Sequence, residues 1–263
     1  MTNLIDSMTP DEALAALAWQ IDLGADEAIL DTPVNRFELD HKPVKPAKAE
    51  QPAAIPKAAP AQKPAPEAQS GGLAAACQDL DALKAAITLF DGCALKQGAR
   101  NTVFADGVRG ARVMIVGEAP GRDEDLQGLP FVGASGQLLD KMFAAIGLSR
   151  KSDDPKTGIY ITNTLPWRPP QNRDPLPEEL AMMLPFLHRH IELARPEILV
   201  TMGNPSTKTL LNTNTGITRM RGTWAEVLGI PTLPMFHPAA LLRGPEKKRD
   251  AWADLLVIKD RLS

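Results

Sequence analysis

Cysteine is scarce in this chain, and its apolar runs are short. The 263 residues include two cysteines, too few for a disulfide framework or for a metal site built from four thiolates. Alanine, glycine, proline and charged residues interrupt every apolar run before the roughly 20 residues that a membrane helix needs. Residues 1–30 carry acidic residues where a secretory signal has a basic start and an apolar core. The sequence therefore predicts a soluble cytoplasmic protein without a membrane partner.

Net negative charge is confined to the start of the chain. Residues 1–40 hold nine acidic residues and one arginine, a net charge of −8. Residues 41–72 hold five lysines and two glutamates, and residues 73–263 hold 23 basic and 21 acidic residues. The sequence pI of 5.9 therefore conceals a slightly basic body, and composition does not exclude a nucleic-acid partner.

Proline divides the chain. Residues 43–66 contain seven prolines in 24 positions, and such a stretch buries too little apolar surface to order itself. We therefore expect three parts: an acidic segment over residues 1–40, a flexible, disordered linker over residues 41–72, and a folded domain over residues 73–263.

A short helix is predicted within the acidic segment. Thr9-Pro10-Asp11-Glu12 is typical of a helix start. Apolar residues follow at helical spacing: Leu14, Leu17, Ala18 and Ile21. Two interpretations stay open, a marginal helix with no particular role and a helix within residues 9–30 that docks a partner protein.

Strands alternate with helices in the folded domain. Four apolar runs are typical of buried strands: 112–116, 159–162, 197–202 and 232–236. Helical patterns separate them, for example over residues 178–194. This alternation predicts an α/β fold, a three-layer α/β/α sandwich around a four-stranded parallel sheet. Ligands of such sheets bind beyond the carboxyl ends of the strands.

Polar and aromatic side chains follow the predicted strands. Glu118, Asn163 and His237 each come just after a strand, and Phe131 lies in the loop that Glu118 opens. An aromatic face, an amide and an imidazole suit a flat, neutral ring that carries amide groups. No Gly-Lys-Ser/Thr follows Gly117, which argues against a nucleoside-triphosphate site.

Three motifs identify a family. GEAPGRDEDLQGLPFVGASGQLLD at 117–140, YITN followed by RPPQNR, and HPAALLR at 237–243 resemble the bacterial and archaeal type-4 uracil-DNA glycosylases. The resemblance covers roughly residues 87–262. It implies a DNA repair enzyme that flips uracil out of DNA and hydrolyses its N-glycosidic bond, leaving an abasic site. It also implies uracil-containing DNA as the partner, a nucleoid-associated location and a monomer.

The resemblance assigns roles to residues of the loops. Glu118 would be the catalytic carboxylate and Glu124 a second acid of the same loop. Phe131 would stack on uracil, Asn163 would read its N3–H and O4, and His237 would contact O2. Two glycines, Gly117 and Gly121, would border the base.

DNA contacts are expected around this site. Leu241 or Leu242 would fill the gap that the flipped base leaves in the duplex. The expected phosphate contacts are Arg168, Arg173, Arg219, Arg221 and Arg243, with the run Lys247-Lys248-Arg249 as either a further contact or a solvated face.

Each assignment has a structural alternative. Glu118 could cap a loop or a helix, and Glu124 could be an ordinary acid of a loop. Phe131 could belong to the core, Asn163 could satisfy loop backbone, and His237 could stabilise a turn. The same residues also fit a second hypothesis, a DNA-binding module that recognises uracil or an abasic site and recruits partners. No lysine occupies the matched pocket positions, which argues against cleavage through a Schiff base.

The chain departs from the family at the cofactor. Type-4 enzymes typically hold a four-iron cluster with four cysteines, and here Cys93 matches the second of them. Phe90, Trp167 and Met183 stand at the other three positions, and Cys77 is out of register. One thiolate does not hold a cluster that needs four. We therefore predict a protein without cofactor or metal, in which apolar side chains plug the cluster region.

Overall fold

A computed structural model describes residues 66–263, together with Thr9. The predicted acidic segment, its helix and most of the predicted linker lie outside these residues. The expected boundary at residue 72 is too late, because helix α1, Pro66–Ala76, begins inside the predicted linker. Ser70, Ala74 and Cys77 recur at helical spacing and are buried, so packing rather than helix propensity stabilises this glycine-containing segment.

Within residues 66–263 the sheet has six strands in the order β1-β3-β2-β4-β6-β5. Their bounds are β1 Asp106–Gly107, β2 Val113–Gly117, β3 Ile159–Asn163, β4 Ile198–Met202, β5 Ala225–Val227 and β6 Ile230–Met235. The four inner strands are parallel, as predicted. The short edge strands β1 and β5 pair antiparallel and correct the expected strand count from four to six.

Helices cover the sheet on both faces. After α1, their bounds are α2 Leu80–Leu89, α3 Leu95–Gly98, α4 Arg122–Gln127, α5 Ala134–Ala144, α6 Pro177–Ala194, α7 Asn204–Leu211, α8 Ile217–Met220, α9 Pro238–Arg243 and α10 Lys248–Leu262, with 3₁₀ turns at Pro170–Asn172 and Pro245–Lys247. None of the helices in the described part of the chain has the length and apolarity to span a membrane.

Alternate residues of β2 enter two separate cores. Met114 and Val116 belong to a cluster that includes residues of α1, α2 and α6. Val113 and Ile115 belong to a cluster that includes residues of α5 and α10. Because every residue of β2 is buried, both faces of the sheet are covered. This confirms the three-layer α/β/α architecture.

The strand order places the loops that carry the motifs together. The chain passes from β2 to β3 on one side of β2, and then to β4 on its other side. At such a switch point the loops after neighbouring parallel strands diverge and leave a crevice. The loops after β2, β3, β4 and β6 border this crevice.

Candidate functional site

A cavity of about 590 Å³ lies beyond the carboxyl ends of the parallel strands. Eight of the residues singled out from the sequence line it: Glu118, Gly121, Glu124, Phe131, Asn163, Arg173, His237 and Arg243. They come from loops far apart in the sequence. The fold therefore brings the predicted catalytic and base-binding residues to one site.

Gly117 lets the amide and the aromatic ring approach the end of β2. It pairs with Asn163 in the parallel ladder. A β-carbon at Gly117 would collide with Oδ1 of Asn163 and lie 2.6 Å from Cε2 of Phe131. A larger residue at position 117 would therefore have to displace both side chains.

Phe131 belongs to both the core and the cavity wall. Its side chain is buried in the cluster that includes residues of α5 and α10, and it also lines the cavity. Its ring centroid lies 5.3 Å from that of His237, with an angle of 27° between the planes. Phe131 is therefore a core residue that also contributes to the cavity wall.

His237 has a defined tautomer. It is the N-cap of α9, and its Nδ1 accepts a hydrogen bond from the backbone N–H of Ala239 at 3.1 Å. Burial and the nearby Arg243 lower its pKa to about 4. The neutral ring with Nδ1 as acceptor carries its proton on Nε2. His237 therefore stabilises the turn and also offers an N–H donor.

Glu118 presents a free carboxylate. It lines the cavity, and its side chain makes none of the hydrogen bonds found within residues 66–263. Burial, and next the like charge of Asp174, raise its pKa above the usual value, while Arg243 acts in the opposite direction. A capping carboxylate would accept backbone N–H groups, so the capping alternative is not supported.

Glu124 is committed to the backbone. Its carboxylate accepts N–H groups of Gly121 at 3.2 Å, Val132 at 2.9 Å and Gly133 at 3.0 Å. Both oxygens are therefore occupied by loop amides. This geometry favours a role in holding the loops over the expected role as a second catalytic acid.

The expected DNA-contacting arginines divide into two groups. Arg221 pairs with the buried Asp254 and donates to the carbonyl of Asp250, so its guanidinium is a structural group rather than a free phosphate contact. Arg173 forms a bidentate salt bridge with Glu179. Arg219 and Arg243 are exposed, and neither forms an ion pair within the described residues.

Two other expected DNA contacts interact with neighbouring side chains. The guanidinium of Arg168 donates to Asn172 at 2.7 Å. The basic run of Lys247, Lys248 and Arg249 begins near the ring of Phe236, with the Lys247 Nζ 6.0 Å from its centroid.

The two leucines of α9 are not equivalent. Leu241 is 1% exposed and belongs to the core, whereas Leu242 is 46% exposed. A side chain packed in the core is not available to enter a duplex. The expectation for Leu241 is thus corrected, and Leu242 is the leucine of the pair that stays exposed.

The four cluster positions do not fit an iron–sulfur cluster. Phe90, Cys93, Trp167 and Met183 are all at most 2% exposed and belong to one hydrophobic cluster. The ring of Phe90 packs against Phe186 at 5.3 Å. Burial raises the pKa of the Cys93 thiol, whereas a cluster ligand is a thiolate. Residues 66–263 hold no group of three or more His, Cys, Asp or Glu side chains arranged to bind a metal.

Asp174 is a site residue that the sequence pattern does not single out. It lines the cavity and acts on Glu118 through its charge. Its position directly after RPPQNR was the available signal. An exposed acid in a loop is too common for that position to have identified it.

Comparison with known proteins agrees with this geometry. The family model of the uracil DNA glycosylase superfamily matches residues 104–256. The type-4 uracil-DNA glycosylase of Archaeoglobus fulgidus is 40% identical over 174 residues, covering 63% of this chain and 84% of that protein. The type-4 enzyme of Saccharolobus solfataricus is 38% identical over 181 residues, covering 65% and 81%. That of Thermotoga maritima is 37% identical over 153 residues, covering 57% and 77%. The chain belongs to the uracil-DNA glycosylase superfamily and, within it, to the type-4 family.

Proposed function

We propose that the protein is a DNA repair enzyme that flips uracil out of DNA and hydrolyses its N-glycosidic bond, leaving an abasic site. The observation that carries this proposal is the meeting of Glu118, Phe131, Asn163 and His237 in one cavity. The family of the chain and the names of its relatives support the same activity.

Base selection follows from the amide and the ring. The side chain of Asn163 offers an acceptor to N3–H of uracil and a donor to O4. Cytosine presents the opposite pattern and would leave both groups unpaired, a large penalty in a buried site. Phe131 provides a face on which the flipped base stacks.

The chemistry separates two developing charges. As the bond from C1′ to N1 breaks, its electron pair moves onto uracil and reaches O2, where the Nε2–H of His237 donates. A neutral donor of this kind binds the transition state more strongly than the ground state. The carboxylate of Glu118 faces the sugar, stabilises its oxocarbenium character and orients the water that adds to C1′.

The proposed enzyme holds no iron–sulfur cluster. One of the four matched positions is a cysteine, and the other three carry buried apolar side chains. We expect the full-length protein, purified without exposure to air, to be colourless and to contain no stoichiometric iron or acid-labile sulfide. About four irons per chain with a visible absorption band would contradict this expectation.

A glycosylase assay tests the activity. Labelled oligonucleotides with one uracil are incubated as single strands and as duplexes opposite guanine or adenine, followed by alkali to cut abasic sites. Glu118→Ala and Asn163→Ala variants run in parallel, with thymine and hypoxanthine substrates as controls. We expect alkali-dependent cleavage at uracil that both substitutions abolish. A folded protein that binds these DNAs without cleaving them would instead be a recognition module, and the enzyme proposal would be wrong.

A further inference from the structure

The stacking residue has an unfavourable backbone conformation. Phe131 has a φ of 54°, in the left-handed region that residues with a β-carbon rarely adopt. The next helix also crowds it, since a β-carbon at Gly136 would overlap the Phe131 carbonyl. Such a conformation persists where neighbouring groups hold it.

Arg150 holds the peptide group before Phe131. Its side chain is 7% exposed, and its guanidinium donates through Nη1 to the carbonyl of Pro130 at 3.0 Å. Two carboxylates orient it: Asp106 accepts from Nη1 at 3.0 Å and Asp140 accepts from Nε at 2.7 Å. The planar guanidinium keeps these directions fixed, which a lysine would not do.

Glu124 holds the peptide groups after Phe131. Its carboxylate accepts the N–H groups of Val132 and Gly133. The chain is therefore fixed on both sides of the left-handed residue. Between these two anchors the phenyl ring lies against His237 and lines the cavity.

We propose that Arg150 is a positioning residue for uracil, which acts through the Pro130 carbonyl to fix the stacking face of Phe131. The proposal rests on the proposed function, because it assumes that Phe131 stacks on the base. Arg150 does not line the cavity, so its effect on the base is entirely indirect. If the role of this buried arginine were purely structural, its replacement would weaken the binding of every kind of DNA equally.

The affinities for two DNA ligands distinguish a positioning role of Arg150 from a purely structural one. One duplex carries 2′-fluoro-deoxyuridine, which retains the base without hydrolysis, and the other carries a tetrahydrofuran abasic analogue at the same position. We expect Arg150→Gln to weaken binding of the uracil duplex about tenfold, part of the contribution of one stacked base. Binding of the abasic duplex should change less than about twofold, because it has no base to stack.

Arg112 provides a matched control. It also joins a carboxylate, Glu197, to a backbone carbonyl, that of Leu262. It precedes β2, at the end of the sheet opposite to the cavity. Arg112→Gln should leave the ratio of the two affinities unchanged even where it lowers the melting temperature.

A double-mutant cycle with Phe131→Ala completes the test. If Arg150 acts through the ring, Arg150→Gln should have almost no effect on uracil-duplex binding once the ring is removed. An equal effect with and without the ring, or an equal loss for both duplexes, would overturn the inference. If Arg150→Gln does not fold, Arg150→Lys enters the same cycle, with the same outcomes on either side.

The wild-type protein separates this inference from the proposed function. If it binds the uracil duplex no better than a matched thymine duplex, the proposed function fails and the inference fails with it. If it prefers uracil and the cycle is additive, the inference alone fails.

Discussion

At the scale of single residues, the site depends on which side chains remain free. Glu118 keeps its carboxylate available, whereas the similar Glu124, six positions later, binds three backbone N–H groups. Two acids that follow the same strand, one in the loop and one in the first turn of α4, thus have different contacts. The difference comes from contacts with residues 132 and 133, which sequence spacing does not reveal.

A substitution at Gly117 tests the packing of the Asn163 amide and the Phe131 ring against the end of β2. We expect Gly117→Ala to lower single-turnover excision of uracil about a hundredfold, because the added methyl displaces Asn163 and Phe131 from their positions. Single-turnover assays quenched at successive times measure the excision rate, and thermal unfolding shows whether the fold persists. Gly98→Ala, at an exposed site with open space and no positive φ, accounts for the general effect of a glycine replacement. Excision at the wild-type rate by Gly117→Ala would contradict the packing described.

Asp174 tests the charge around Glu118. Burial, and next the charge of Asp174, raise the pKa of Glu118, and activity that needs the carboxylate is lost as the pH falls through that pKa. Asp174→Asn should lower the pKa and shift the acidic limb of the single-turnover rate profile to lower pH. Asp153→Asn, an exposed acid of a distant turn, should leave the limb in place. If the acidic limb did not move in Asp174→Asn, the limb would not report the ionisation of Glu118.

At the scale of elements, α9 places two adjacent leucines in different environments. Leu241→Ala should destabilise the protein by about 2–5 kcal/mol, since it removes buried methyl groups from the core. Leu242→Ala should leave stability unchanged and slow excision from duplexes more than from single strands. Chemical denaturation and paired excision assays measure the two effects. Equal behaviour of the two variants would contradict the burial difference.

Two arginines in the segment from α8 to α10 also differ in their environments. Arg221 is paired with a buried carboxylate, and Arg219 is exposed. Arg221→Gln leaves the carboxylate of Asp254 buried without its partner, and we expect a loss of about 3 kcal/mol in the free energy of unfolding. Arg219→Gln should cost no stability, but should reduce the slope of log affinity against log salt by about 1. Denaturation and salt-dependent DNA binding measure these quantities. A larger salt effect in Arg221→Gln than in Arg219→Gln would reverse the assignment.

Sequence patterns predicted the elements whose residues are uniformly buried. The inner strands were recognisable because most of their positions are apolar, and their loops carry motifs specific enough to identify a family. The edge strands were not predicted, because two or three residues show no periodicity. Helix α1 was not predicted either, since Gly71 and Gly72 weaken its pattern. The contacts of Arg150 and Asp174 depend on loops that meet only in the folded chain.

At the scale of the whole molecule, apolar side chains fill the region around Cys93. In a cluster protein, loss of a ligand removes metal-linked stability. Here we expect Cys93→Ala to keep full excision activity and to lose only about 1 kcal/mol of stability, the cost of a small cavity. Denaturation and excision assays on the same preparation measure both. Loss of the fold in this variant would contradict an apolar plug.

The two edge strands have a consequence for how copies of the chain meet. β1 has two residues and β5 has three, and each ends the parallel sheet with a short antiparallel partner. A long free edge would offer a template on which another molecule could add its own strand. Edges this short offer few unpaired backbone groups in register. The described domain therefore exposes little unpaired sheet edge on which another copy of the chain could add a strand.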